Sequence, residues 1–281
     1  EDIAQLIWHT VKKLPFEIDS SMKTVLQEGM IAHLEARGEP ASQIQLELAG
    51  LAELPYQNYQ NTPSTAEQLD KIQNTIREIL DNREILLRDD HPDRPQTRRT
   101  WWPVDGFDPA ASPLADKVEK YILEQLNQTP AVNEKVLFLK LYAAFPGLLT
   151  PSAEMVHTIL SSYAHILSDP PPVWQLNEQE RPQTRQTDMQ RIQQEILKLG
   201  KQLNYFVEVS EASIWWTDHH RRKFVYHCFP SSMIHHYVQE QTPLPVGCHG
   251  VLVFPGSRSR LLAYKLDHNP WLAQTVEKDW T

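Results

Sequence analysis

The chain has 281 residues, 41% of them hydrophobic and 9% aromatic, and a formal charge of −9, enough to bury a good core, more naturally two or three small ones. That acid excess excludes a protein that coats nucleic acid indiscriminately, because such binding runs on released counterions and needs surplus Lys and Arg. No apolar run approaches the roughly 20 residues of a membrane helix, residues 1–13 lack a signal-peptide core, and Cys228 and Cys248 without C-x-x-C spacing exclude a disulfide framework.

These features predict a cytoplasmic protein with no membrane partner, and Glu1 in place of Met points to a processed chain or a piece of a longer one. Residues 1–104 are predicted to be a helical arm and linker. Helices are expected over Ile3 to Lys13, Ser21 to Ala36, Ser42 to Leu54 and Thr65 to Leu87, with breakers at Gly38 and Pro40 and in the polar loop Tyr56 to Ser64. Within the last helix Leu69, Ile72, Ile76, Ile79 and Leu80 recur at three- and four-residue spacing, the stripe of an amphipathic helix. Arg88 to Thr100, rich in Pro, Asp and Arg, is predicted as linker.

Residues 105–180 form a second expected unit. Ala115 to Leu126 and Asn133 to Phe145 have helical period, and Thr150 with Pro151 starts a third helix that runs to about His165. A short alternating strand, Val173 to Leu176, follows the run Asp169-Pro170-Pro171-Pro172. Three helices and a strand outline a winged-helix-like unit, in which the third helix is the usual DNA reader; a compact helical bundle has the same outline.

Residues 181–281 carry the clearest pattern. Thr187 and Gln190 make a capping box, Met189, Ile192, Ile196 and Leu199 one apolar face, and Gly200 a stop. Strands are predicted at Tyr205 to Val209, Ser213 to Thr217 and Lys223 to Phe229, then a helix from Ser232 to Gln239, a strand at Gly250 to Phe254 and a helix from Arg258 to Leu266. The order αβββαβα is that of a restriction-endonuclease-like core, so the fold class expected is α+β: helical arm, winged-helix-like middle unit and nuclease-like C-terminal domain.

Such nucleases hold a metal with an acid on the second strand and an acid-x-Lys pair on the third, because the metal must bind phosphate and activate water. Here the second strand reads Ser213-Ile214-Trp215-Trp216 and the third Val225-Tyr226-His227-Cys228-Phe229, with no carboxylate. Glu208, Glu211 and Asp218 lie nearby at the wrong places. No catalytic residue, cofactor or metal is therefore assigned. Zinc could draw on His219, His220, His227, His235, His236 and His249 with the two cysteines, but adjacent histidines diverge and no ligand spacing recurs; an ordinary hairpin with buried Cys228 and solvent-facing histidines fits better. Asp169-Pro170-Pro171-Pro172 lacks the aromatic fourth residue of a methyltransferase D-P-P-aromatic loop and reads as a prolyl linker.

Three basic clusters remain. Arg98 and Arg99 stand beside Trp101 and Trp102 as a DNA-facing pair of types; Arg221, Arg222 and Lys223 follow Trp215 and Trp216; Arg258, Arg260 and Lys265 lie at and beyond a turn from a buried strand into a helix. Free N–H groups and two guanidinium groups at a helix start suit a phosphate, and from Lys201 onward Lys and Arg number eight against seven Asp and Glu, so the acid excess lies before it. The alternative for each cluster is a solvated face or internal ion pairs.

The strings Leu34-Glu35-Ala36-Arg37-Gly38-Glu39-Pro40-Ala41-Ser42, Pro113-Leu114-Ala115-Asp116-Lys117-Val118-Glu119, Trp174-Gln175-Leu176 followed by Arg181-Pro182-Gln183-Thr184-Arg185, and Pro255-Gly256-Ser257-Arg258-Ser259-Arg260-Leu261-Leu262 resemble the C-terminal, non-catalytic part of large bacterial DNA methylase-like proteins associated with restriction and phage defence. The resemblance implies a DNA-facing accessory region and carries no methyl-transfer residue. The function expected is a non-catalytic DNA-binding or target-recognition module, with the helix around Pro151 to Tyr163 on the duplex and Arg221, Arg222, Lys223, Arg258, Arg260 and Lys265 on phosphates, which position rather than specify. A scaffold that docks a protein partner of a defence complex is the rival, and a metal-dependent nuclease the third reading.

Overall fold

The computed structural model describes residues 20–54, 65–91, 99–210, 213–220, 223–241, 244 and 247–280. The helix expected over Ile3 to Lys13, the loop Tyr56 to Ser64, and Arg98, Glu211, Arg221 and Arg222 lie outside them. The chain is a mixed α+β protein of two compact units, 1–111 and 112–281. The second unit takes in both the middle segment and the C-terminal domain expected from the sequence.

In the first unit the order is α1 (Ser20–Arg37), β1 (Ala41–Ser42), α2 (Gln43–Ala52), α3 (Thr65–Leu80), β2 (Leu86–Arg88) and β3 (Thr100–Pro103). Helix α1 stops at Gly38, whose φ of 69° a side chain rarely adopts and whose N–H donates to the Leu34 carbonyl at 2.8 Å. Ser42 then opens α2 with a capping box: its Oγ accepts from the Gln45 N–H while the Gln45 side chain accepts from the Ser42 N–H. α1 and α2 pack closely because each offers a glycine at the crossing. A Cβ on Gly50 would stand 2.9 Å from the Leu26 carbonyl oxygen, and one on Gly29 equally close to that of Ala49.

Helix α3 buries Ile72, Ile76, Ile79 and Leu80, the expected stripe. It ends at Leu80, not Leu87, because a turn in which Asn82 Oδ1 accepts from the Glu84 N–H redirects the chain, and Leu86 to Arg88 pair with β3 instead. The helical arm is thus corrected to a helix-strand-helix-helix-strand-strand unit with an antiparallel sheet ordered β1-β3-β2. What read as linker from Arg88 to Thr100 joins two paired strands.

The second unit begins with α4 (Leu114–Gln128), β4 (Val132–Asn133), α5 (Glu134–Ala144), α6 (Ala153–Tyr163), β5 (Ala164–Ser168) and β6 (Val173–Leu176), with an antiparallel sheet ordered β4-β6-β5. This is the connectivity and strand order of the first unit again. The cap of α6 is Ser152, whose Oγ accepts from the Met155 N–H, while Thr150 donates back to the Phe145 carbonyl. Asp169 to Pro172 form the β5–β6 connection.

There follow α7 (Pro182–Gln202), β7 (Phe206–Val209), β8 (Ile214–Thr217), β9 (Lys223–Cys228), α8 (His235–Gln241), β10 (Cys248–Val253), α9 (Ser259–His268) and α10 (Pro270–Asp279). Helix α7 starts five residues before the expected capping box, with Pro182 in the first turn, where its missing N–H needs no partner. It also runs past Gly200, which lets the helix press on Trp216: a Cβ there would meet the indole at 2.7 Å. Strands β7, β8 and β9 form an antiparallel meander and β10 lies parallel to β9, giving the order β10-β9-β8-β7. Helix α10, not expected, ends in Trp280, which packs on Gly250 of β10. One apolar cluster joins α4, α5 and α6 and takes in Leu261 of α9, which is why the middle segment and the C-terminal domain share one unit; a second surrounds Val225, Ile234, Val238 and Leu272.

Candidate functional site

Around α6 the second unit buries a chain of charged groups. Lys265 of α9, 4% exposed, donates to Asp116 at 2.6 Å and to Glu119, both on α4, and to the Ser232 carbonyl at 3.3 Å. Glu119, with no exposed surface, also accepts from Tyr163 of α6, from the Ser232 N–H at 3.1 Å and from its hydroxyl at 2.6 Å. A step further, the Arg258 guanidinium lies 3.3 Å over the Tyr163 ring and donates to the Ser162 carbonyl and to Glu180. Glu180 is shared with Arg185 at 2.7 Å and accepts from Ser257. Three cations thus meet three carboxylates.

The electrostatics are those of a closed network. Burial opposes the Lys265 charge, yet Asp116 and Glu119 hold its ammonium above the ordinary lysine range. Burial likewise opposes ionised Glu119, but Lys265 and the Ser232 and Tyr163 donors hold its carboxyl below the ordinary range. Burial and Glu119 push the Tyr163 phenol upward, so it stays a proton donor in a hydrogen bond. Such an arrangement binds elements together; it presents no group to a substrate. It fastens α4 and α6 to α9 and to the start of α7.

Two of the expected phosphate ligands are therefore corrected. Arg258, 1% exposed, does find an anion at the turn into α9, but the chain supplies it as Glu180; Lys265 is occupied in the same way. Phosphate does not reach either. Arg260 is exposed on α9 and Lys223 is exposed at the start of β9, opposite Thr217 and Cys248. Trp101 and Trp102 are also corrected: both are buried in β3, and the Trp101 indole donates to the Leu80 carbonyl at 3.1 Å. Arg99 beside them is half-buried.

Helix α6 keeps only a narrow outer face. Helix α9 packs along it, Ser152 meets the Tyr264 hydroxyl at 3.4 Å, and Met155, Val156, Thr158, Ile159, Leu160, Ser162 and Tyr163 are all buried. What remains exposed is Ala153, Glu154, His157 and Ser161, without Lys or Arg. Its counterpart α3 is different: Asp70, Lys71, Gln73, Asn74, Arg77 and Glu78 are all exposed.

At the centre of the four-stranded sheet, Ile214 and Trp216 of β8 and Val225 and His227 of β9 are buried, and Trp215 pairs with Val225. Glu208 stands exposed on the edge strand β7, and Asp218 Oδ1 accepts from the His220 N–H. Among the described residues no group of three or more His, Cys, Asp and Glu is placed to hold a metal. Of the histidines read as solvent-facing, His227 and His235 are in fact buried among Phe229, Tyr237, Trp271 and Trp280. Cys228 and Cys248 are half-buried free thiols, and burial pushes both upward, away from thiolate chemistry.

Sequence reading missed the surface that stands open beside this network. Val136, Leu139 and Tyr142 of α5 are exposed, Leu139 by 68%, and at three-residue spacing they form one apolar stripe. The signal was present, since apolar residues recur all round α5, more than one core face requires, with exposed Lys135 and Lys140 flanking the stripe. Among the described residues no helix is long and apolar enough to cross a membrane. Comparison of the chain with family models, with curated proteins and with solved structures gives no match.

Proposed function

We propose that the chain is a non-catalytic protein-docking module: two winged-helix-like units followed by a nuclease-like domain that lacks the nuclease's acids. The doubled order helix-strand-helix-helix-strand-strand, with the first strand beside the third, supports the winged-helix reading of both units. The meander followed by a parallel fourth strand supports the nuclease-like reading of the last domain. The short strings that resemble methylase-associated proteins support a setting in a DNA-modification or defence assembly.

The observation that carries docking is the exposed stripe Val136–Leu139–Tyr142, beside an α6 that is covered by α9 and bears no exposed cation. Contiguous exposed apolar side chains mark protein contacts far more often than nucleic-acid contacts. The test is recovery of a partner from native extract on the tagged chain after the DNA has been digested, with Val136→Asp/Leu139→Asp as the comparison. The docking reading expects a partner retained by the wild type and lost by the variant. A partner released by the digestion overturns it.

A second reading, DNA contact, is favoured by α3, whose open face carries Gln73, Asn74 and Arg77, side chains suited to base edges. Anisotropy titrations with duplex DNA across salt check it. The double change Asn74→Ala/Arg77→Ala should weaken binding if α3 reads the groove, and Lys223→Ala/Arg260→Ala should shallow the salt dependence if the C-terminal domain grips phosphate.

A further inference from the structure

The first unit contains a groove of about 540 Å³ between α1, the turn before β2, and the segment that leaves β3. Its construction follows from the chain. Ile31 and Glu35 lie four residues apart on one face of α1; Ile85, whose carbonyl accepts from the Val104 N–H at 2.9 Å, prolongs the β2–β3 ladder. Past Val104 the chain turns back, the Gly106 N–H donating to the Pro103 carbonyl with Gly106 at a φ of 75°. That turn sets Phe107 into the interior and leaves Asp105 outside.

The result is an apolar floor of Ile31, Ile85 and Phe107 under a rim that carries Glu35, Glu84, Asp105 and Asp108. No Lys, Arg or His lines it. Among the described residues none of the four carboxylates is paired with a cation; Asp108 Oδ1 accepts only from the Ala110 N–H. Almost all of the chain's acid excess lies in this unit.

We propose that this groove binds a basic-apolar peptide segment of a protein partner, one large apolar side chain seated on the floor and flanking Lys or Arg held by the rim; this rests on the docking reading above. Charge complementarity selects that occupant. Four unneutralised carboxylates repel phosphate, so a nucleic acid is excluded, and the acidic unit steers a basic partner from a distance. Among the described residues no three carboxylates are placed to share one metal ion, which suits several spread cations instead. The volume falls in the range of about 300–1,000 Å³ typical of binding clefts and holds one or two large side chains.

The probe is a fluorescein-labelled peptide with a Leu-Trp pair between two Lys-Arg pairs, titrated by anisotropy into the full chain. Two control peptides carry Glu in place of every Lys and Arg, or Gly-Ser in place of Leu-Trp. The expected result is binding by the first peptide, about a hundredfold weaker binding of the acidic control and about tenfold weaker binding of the anchorless one, each tenfold being one decade of Kd. Glu35→Gln/Glu84→Gln/Asp105→Asn, all at exposed side chains and so compatible with folding, should weaken the first peptide about tenfold and flatten its salt dependence. Binding by that variant within about twofold of wild type, or equal binding of the anchorless peptide, overturns the groove. If the native partner is retained by this triple variant but lost by Val136→Asp/Leu139→Asp, the groove inference fails while the docking reading stands.

Discussion

The two helix-strand-helix-helix-strand-strand repeats share a register as well as an order. Ala41 faces Trp101 across the first sheet as Val132 faces Trp174 across the second, and Ser42 and Asn133, the next residues, cap α2 and α5 in the same way. Each tryptophan is buried with its indole N–H donating, Trp101 to the Leu80 carbonyl and Trp174 to Glu134 at 2.8 Å. The repeats part at the third helix. In the first, α3 buries one stripe and keeps a polar face; in the second, α9 covers α6 and the ions of Lys265 and Arg258 lock it in place. One topology thus serves in one copy as an open surface and in the other as a foundation for the next domain.

The sharpest way to break this contrast is Lys265→Met. Removing one member of a buried charge group strands the others, so Asp116 and Glu119 are left without their cation and the loss should be about 3–5 kcal/mol. Urea unfolding measures it, and hydrogen exchange localises it: α4 and α6 should open while α3 keeps its protection. The triple change Asp116→Asn/Glu119→Gln/Lys265→Met should recover much of the loss. Equal exchange in α3 and α6 would show that the two third helices are held alike.

Next in size is Gly50→Ala in the first repeat, where the added methyl meets the Leu26 carbonyl and must push α1 and α2 apart. Overpacking of this kind costs about 1–3 kcal/mol. The second repeat has no glycine in α4 or α5, so the effect is confined to the first unit's melting transition. Smaller still is the paired test Trp101→Phe and Trp174→Phe. Each keeps an aromatic ring and leaves one acceptor without its indole donor, for about 1–2 kcal/mol apiece. Similar losses at both sites support the shared register; a loss at only one breaks it.

The long helices were legible because apolar spacing and caps survive in them: Ile72, Ile76 and Ile79 set the face of α3, and the meander of β7 to β9 stood out from its polar turns. The first repeat was not legible as a repeat. Its β1 and the matching β4 are two residues each, too short to show alternation. Leu86 and Leu87 extended the stripe of α3, and only pairing with β3 makes them strand. The fates of Arg258 and Lys265 were hidden for another reason. Their partners Glu180, Asp116 and Glu119 are 78 to 149 positions away in the chain, so a basic pair at a helix start looks the same whether it awaits phosphate or is already satisfied. Trp101 and Trp102 misled likewise, since aromatic residues beside arginines fit a buried strand as well as a nucleic-acid surface.

Acid separates the repeats most gently. His33 of α1 is buried, and burial first, with nearby Arg37 second, lowers its pKa from 6.5 to about 4. Its folded pKa lies below the unfolded value, so the unfolded chain takes up a proton that the folded chain refuses. The stability this histidine contributes is complete above about 6.5 and drains as pH falls toward 4. Glu119 in the second unit is also depressed, but from a carboxylate value of 4.5, so its contribution is untouched until the solution is more acidic than that. Between pH 7 and pH 5 the first unit's melting temperature should therefore slip by a few degrees, while Glu119 adds nothing to the second unit's slope over that range. His33→Gln should flatten the first slope, because the amide has no proton to gain; a slope unchanged in that variant would place the acid-sensitive group elsewhere in the first repeat.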